Sequence, residues 1–308
     1  MRKKLILIAL LAMIISMTGC NANKENNETY ANNENKETKT EIVEKSDFEE
    51  ALNRVKIYNE LEDKTWYNAI QTGNCIKFGE YHGEKLNWIV MEKQEDKALL
   101  FNANVIDCKC YNEYEYCECT WETSSLRNWL NDDFYNTAFS NEEKSKILLT
   151  NVNNNDDIDF DASIKSGNNT EDYVFCLSRQ ENWNYFGMDT KLVEKKYGNK
   201  TYSIYVNLQA AAGATDYAKN VDNYGNKLST TNESEIDTVL DMMGKKDDGF
   251  LKRMLLTQAP YWLRSHGDDV GCASYVDQYG ENFSGVLSGG TMNAGNVGVR
   301  PAMWVKFK

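Results

Sequence analysis

Proline is almost missing. Two occur in 308 residues, Pro260 and Pro301. Long apolar runs are missing too. The longest, residues 5–15, has 11 residues, where a membrane-spanning helix needs about 20. Positive charge is in short supply. Against 47 Asp and Glu stand 34 Lys and Arg, a net charge of −13. A chain of that sign repels polyanions, so no nucleic-acid partner is expected. The patterns G-x-S-x-G, G-x-x-x-x-G-K-[ST], H-E-x-x-H and G-x-G-x-x-G do not occur. The local signatures of serine hydrolases, phosphate-binding loops, zinc proteases and dinucleotide-binding folds are therefore absent.

What is present begins with an address. Arg2, Lys3 and Lys4 precede the short apolar run, and Met17-Thr18-Gly19-Cys20 follows it. Positive, apolar and small-residue segments in that order are the layout of a secretory signal. Small residues directly before a cysteine resemble the lipobox of bacterial lipoproteins. The resemblance implies cleavage after residue 19, lipid on Cys20, and a partner in the membrane reached through those acyl chains. The plainer alternative is a secretory signal with a chance cysteine. Without residues 1–19 the net charge becomes −16, because three of the 34 basic residues go with them. Residues 20–45 are Asn, Glu, Lys and Thr with few apolar positions. Such a segment cannot bury a core and is expected to be a disordered linker. Ser46 with Glu49 forms a capping-box pattern, and Phe48, Leu52, Val55, Tyr58 and Leu61 fall at helical spacing. An amphipathic helix over 47–62, within a connecting segment 46–74, is predicted to dock on the domain.

The domain proper is expected over residues 75–308, with aromatic residues at 12 % of the chain supplying a core. Ile76 and Phe78, then Leu86, Trp88 and Val90, then the run 98–101, read as a β-meander. Residues 120–148 are expected to carry two short packed helices. Leu126, Trp129 and Leu130 share one stripe, 131–133 breaks the first helix, and Ser140 with Glu143 caps the second. Residues 172–178 read as a strand. Residues 180–257 read as an insertion with helices over 208–218 and 234–243. The last 50 residues return to strands at 261–265, 273–276, near Val286 and over 297–307. Pro301 lacks a backbone donor, so the closing strand is an edge or is bulged there.

Cysteine and aspartate supply the local motifs. Cys108-x-Cys110 and Cys117-x-Cys119 flank a tyrosine-rich segment. An antiparallel hairpin would set Cys110 against Cys117 and Cys108 against Cys119, at separations a disulfide can use. Four sulfurs on one face could instead hold zinc, although zinc sites favour C-x-x-C, or they could stay as thiols. Asp157, Asp159 and Asp161 alternate as calcium ligands do. Ala162 and Asn168 stand where an EF-hand needs Gly and Glu, so a solvated loop is the bland alternative. No cofactor is expected beyond these calcium and zinc alternatives.

The strand around residues 76–81, the segment TWETSSLRNWLNDDFYNTAF, the DYVFCLS strand, YWLRS and the closing GVRPAMWV together resemble a domain of unassigned function found in exported proteins of Firmicutes. That domain in turn is similar to the C-type-lectin-like fold of the formylglycine-generating, or sulfatase-modifying, enzymes. The likeness covers residues 75–178 and 258–308. It implies an α+β fold with a twisted antiparallel sheet, two short packed helices, and first and last strands close together. It also implies a Gram-positive-type cell surface. The enzymes use a cysteine pair near the C-terminus to hold copper. Here one cysteine, Cys272, follows His266, so a second would have to come from Cys176 or Cys75. Cys272 with His266 is thus the candidate for catalysis, through a thiol activated by an imidazole.

Three functions are carried forward. The leading one is a lipid-anchored surface protein with a non-catalytic domain that binds a glycan or a protein. Its candidate ligand surface is the loops 266–272, 277–284 and 288–296, with Arg264, His266, Asp268, Asp269, Tyr279, Asn282 and Asn293 as contacts. The second is a redox or metal-dependent enzyme built on Cys272. The third is a structural envelope component. For Arg264 and Arg300 the alternative to ligand contact is a guanidinium that holds loop carbonyls or a carboxylate such as Asp268 inside the fold.

Overall fold

The computed structural model describes residues 72–113, 118–155, 164–187, 191–197, 200–222, 227–229, 232–244, 246–283 and 292–307. The signal segment, Cys20, the linker, the helix expected over 47–62, Cys117, the aspartates 157, 159 and 161, and Val286 lie outside these residues. Among the described residues no helix is long and apolar enough to cross a membrane.

The fold is mixed α+β, built on two curled sheets. The first is antiparallel. β1 (Cys75–Tyr81), β2 (Glu84–Lys93) and β3 (Lys97–Asn102) form the expected meander, and β13 (Ala302–Lys306) closes it beside β3. Apolar burial drives this sheet, and β2 and β3 are covered on both faces over residues 88–91 and 98–102. Trp88, Val90, Leu100 and Phe101 are fully enclosed. The second sheet runs in the order β11 (Asn282–Phe283), β10 (Ala273–Val276), β9 (Tyr261–His266), β12 (Gly298–Val299) and β4 (Asp107–Cys108). It contains one parallel contact, Gly298 with Tyr261.

The closing strand is therefore two strands. β12 belongs to one sheet and β13 to the other, and Arg300-Pro301 makes the crossing. The missing donor of Pro301 is harmless there, and its carbonyl accepts Asn102 N–H at 2.8 Å. The strand expected over 172–178 shortens in the same way. β6 (Thr170–Asp172) pairs with β5 (Thr150–Val152), and Phe175 alone bridges to Ala302.

The helical cover also departs from expectation. Residues 131–133 do not break the first helix. α1 (Ser125–Trp129) runs through a π-helical turn, Leu130–Phe134, into α2 (Tyr135–Ala138). Asn131 is satisfied without ending the helix. Its Nδ2 donates to Val174 O at 2.9 Å and its Oδ1 accepts Tyr173 N–H at 2.7 Å. The capping box of Ser140 and Glu143 forms and starts the single turn α3 (Asn141–Lys144).

Residues 180–257 share the core. α4 (Arg179–Phe186) buries Phe186 in it, and Ala210, Ala212 and Ala214 join it. The helix expected over 208–218 is instead a buried turn followed by α5 (Asp216–Asn220). Alanines that pack into a core need no helical period. β7 (Lys191–Tyr197) and β8 (Lys200–Val206) form a separate two-stranded ribbon. α6 (Glu233–Met242) and α7 (Gly249–Leu255) enclose a second apolar cluster with Tyr279.

Candidate ligand pocket

The residues expected to act at the C-terminal loops are placed, and most have structural tasks. Arg264 is buried at 4 % exposure. Its guanidinium pairs with Glu181 Oε1 at 2.8 Å and donates to Cys176 O and Asn153 O. Its partner is a carboxylate inside the fold, Glu181 rather than Asp268. Arg300 donates to Asn102 O at 2.8 Å and Ala210 O at 2.9 Å, under the Phe101 ring. Tyr279 is buried in the second cluster. Asn282 Oδ1 accepts from Asn182 Nδ2. Asp269 Oδ1 accepts Val270 N–H at 2.6 Å. Asp268 and Asn293 are exposed.

Cys272 is fully buried. Burial pushes its thiol up to about 11, and the charges of Asp268 and Asp269 add to the rise. An activated thiol needs a shift the other way. His266 Nδ1 lies 2.6 Å from Gly267 O. Cys176 and Cys75 are pushed up to about 12 by burial.

The cysteine hairpin takes another form. Cys108 pairs with Gly298 in β4–β12, not with Cys119. Cys108, Cys110 and Cys119 are all buried. The Cys108 S–H donates to Gly295 O at 3.1 Å and the Cys110 S–H to Asn293 O at 3.3 Å. The C-x-C strand is thus recruited by the loop 292–296 through long-range pairing that no local pattern announces. Among the described residues no three His, Cys, Asp or Glu side chains converge on a metal-sized site.

Beside that strand lies a cavity of about 350 Å³, lined by Lys109, Cys110, Glu113, Ser125, Leu126, Trp129 and Asp222. Its frame is rigid. Lys109 N–H donates to Val297 O and Lys109 O accepts Trp262 Nε1 at 2.8 Å. Asn112 N–H donates to Met292 O, and Leu126 N–H to Tyr111 O. Glu113 N–H donates to Ser125 Oγ at 3.0 Å. Trp129 is held from behind by Phe134 and Tyr81, at centroid distances of 5.5 and 6.1 Å.

A buried polar group backs the wall. Asp107 is fully enclosed. Tyr81 donates its hydroxyl to Asp107 Oδ2 at 2.7 Å, and Cys108 N–H donates to Oδ1 at 2.7 Å. Lys109 Nζ stands 3.8 Å from Oδ2. Burial raises the Asp107 carboxyl above its ordinary range, while Lys109 and the two donors pull against that rise. Burial and the Asp107 charge push the Tyr81 phenol up. His82, at the β1–β2 turn with φ of 47°, stacks on Tyr217 at 3.7 Å.

Sequence reading placed Trp129 and Leu126 on a core stripe and the cysteines in a hairpin. Lys109, Glu113, Ser125 and Asp222 belong to no motif of the sequence. Their one shared property is a meeting of three distant segments, which has no sequence signal.

A family model described as a domain of unknown function, DUF6273, matches residues 95–307, and the chain belongs to that family. No curated protein and no solved structure matches it.

Proposed function

We propose that this DUF6273 protein is a lipid-anchored surface protein with a non-catalytic domain that binds a saccharide-sized polar ligand. The observation that carries the reading is the cavity itself. One indole, Trp129, supplies an apolar wall, and Lys109, Glu113, Ser125 and Asp222 supply charged and hydroxyl groups around it. An aromatic face with a few polar groups suits a sugar ring, which has an apolar face and polar edges. The thiols support binding over the redox alternative, because burial keeps Cys272, Cys176 and Cys75 protonated. The loop 292–296, which belongs to the expected ligand surface, borders the cavity through the contact of Cys110 with Asn293.

The C-type-lectin-like fold belongs to the same proposal. In its favour is a chain whose first and last strands share one sheet, with the strands that carry YWLRS and GVRP, β9 and β12, paired in the other. The anchor at Cys20 rests on the sequence before it.

The test is a binding panel of soluble saccharides and cell-wall fragments, read by calorimetry. Trp129→Ala should weaken binding of any positive probe by at least about tenfold, or about 1.4 kcal/mol. Binding that Trp129→Ala leaves unchanged would move the site elsewhere. Failure of glycans and cell-wall material alike would remove the saccharide reading. In cells, Cys20→Ser should abolish incorporation of labelled fatty acid; retained label would overturn the anchor.

A further inference from the structure

The cavity already holds a cation, and that cation belongs to the protein. Lys109 Nζ sits 4.6 Å from the centre of the Trp129 ring, and both side chains line the cavity. An indole face attracts an ammonium through its quadrupole. Glu113 and Asp222 add two carboxylates to the wall, against the one lysine. The backbone of Lys109 is tied on both sides, to Val297 and Trp262, so a change at this residue is confined to its side chain. That side chain already has a second partner in range. Asp107 Oδ2 lies 3.8 Å from the ammonium, inside ion-pair range and beyond hydrogen-bond length.

We propose that the ligand carries a protonated primary amine, which replaces the Lys109 ammonium over Trp129 while Lys109 closes on Asp107. This rests on reading the cavity as the binding site. Glu113 and Asp222 then face the incoming charge, and Ser125 faces a neutral polar group. Lys109 acts as an internal stand-in for the ligand, occupying the ring face while the pocket is empty. A cationic side chain in that position also selects against ligands with no charge to replace it, since they must give up the ring–ammonium contact without restoring it.

The experiment titrates the chain from residue 20 onward with glucosamine, N-acetylglucosamine and Nα-acetyl-lysine amide, at mildly acid pH so that both amines are charged. Glucosamine should bind about tenfold more tightly than its N-acetyl counterpart. Glu113→Gln with Asp222→Asn should close that gap. Lys109→Met should tighten glucosamine severalfold, with circular dichroism confirming the fold. Equal binding of both sugars would overturn the amine and leave the saccharide module standing. Binding of neither sugar, with the lysine derivative bound, would keep the ammonium and move its source to a peptide. Weaker glucosamine binding by Lys109→Met would overturn the stand-in role. Binding of no probe would remove both readings.

Discussion

Arg264 and Asp277 show how the fate of a buried charge depends on whether a counter-ion meets it. The Arg264 guanidinium is 3 % exposed and shares Glu181 with the N-terminus of α4. Burial would raise the Glu181 carboxyl, but Arg264 and the Ser178 donors hold it below its ordinary range. Arg264→Ala strands that carboxylate together with the carbonyls of Cys176 and Asn153. We expect a loss of about 1–3 kcal/mol in urea unfolding, mainly from the stranded carbonyls, because the Glu181 side chain is 36 % exposed and water reaches it. A loss under about 1 kcal/mol would mean that water replaces the guanidinium. Asp277 has no such cation. Burial pushes its carboxyl up to about 7, and the Glu281 charge adds to this against the N–H groups of Glu281, Tyr279 and Gly280. The folded state thus holds a proton that the unfolded chain releases near pH 4. The stabilisation is complete below that pH and is lost as pH rises toward 7. Asp277→Asn keeps an acceptor for Tyr279 and Glu281. It should raise Tm by about 5 °C at pH 8 and have no effect at pH 4. A rise of the same size at both pH values would sink the assignment.

At the level of elements, legibility followed the range of the interactions. The meander of β1 to β3 could be read because its apolar segments and the turns between them are local in sequence. The cap at Ser140 could be read because its partner Glu143 is three residues away. The continuation through Leu130–Phe134 could not. Asn131 looks like a breaker until the backbone of 173–174, some 42 residues later, occupies its amide. The strand partner of Cys108 is equally distant, since it pairs with Gly298. The pocket depends wholly on such distant meetings, so the sequence shows its residues without showing that they meet. The turn after β10 offers a test. Gly280 has φ of 85°, and an added Cβ would lie 1.8 Å from Asn207 O. Gly280→Ala must displace the 207–211 turn, whose Asn207 N–H donates to Tyr279 O. It should cost on the order of 3 kcal/mol and loosen the second apolar cluster first. Hydrogen exchange should show that loss of protection in α6 before the first sheet. Uniform loss across the molecule would mean that the two clusters unfold together.

For the molecule as a whole, the question is what joins the two sheets. The last strands answer it, because β12 sits inside one sheet and β13 closes the other. Arg300 occupies the crossing at 1 % exposure. It has carbonyls from Asn102 and Ala210, the Tyr261 hydroxyl at 3.2 Å, and the rings of Phe101 and Tyr261 at 4.1 and 5.0 Å. Asn102 lies in the first sheet and Tyr261 in the second, so one guanidinium bonds to both. Desolvating a cation without a carboxylate is costly. Burial accordingly depresses the Arg300 pKa, against the opposing pull of Tyr261. The cost is offset by three bonds directed from the planar guanidinium, one from Nε and two from Nη1, and by the rings stacked on it. A lysine keeps the charge but cannot direct three bonds in that plane. Arg300→Lys should therefore lose on the order of 2–3 kcal/mol, seen as a lower urea midpoint. If Arg300 only fills space, Arg300→Met will match wild type. If it couples the sheets, both substitutions will separate the unfolding of the two sheets, and fluorescence and circular dichroism will report different midpoints where wild type gives one.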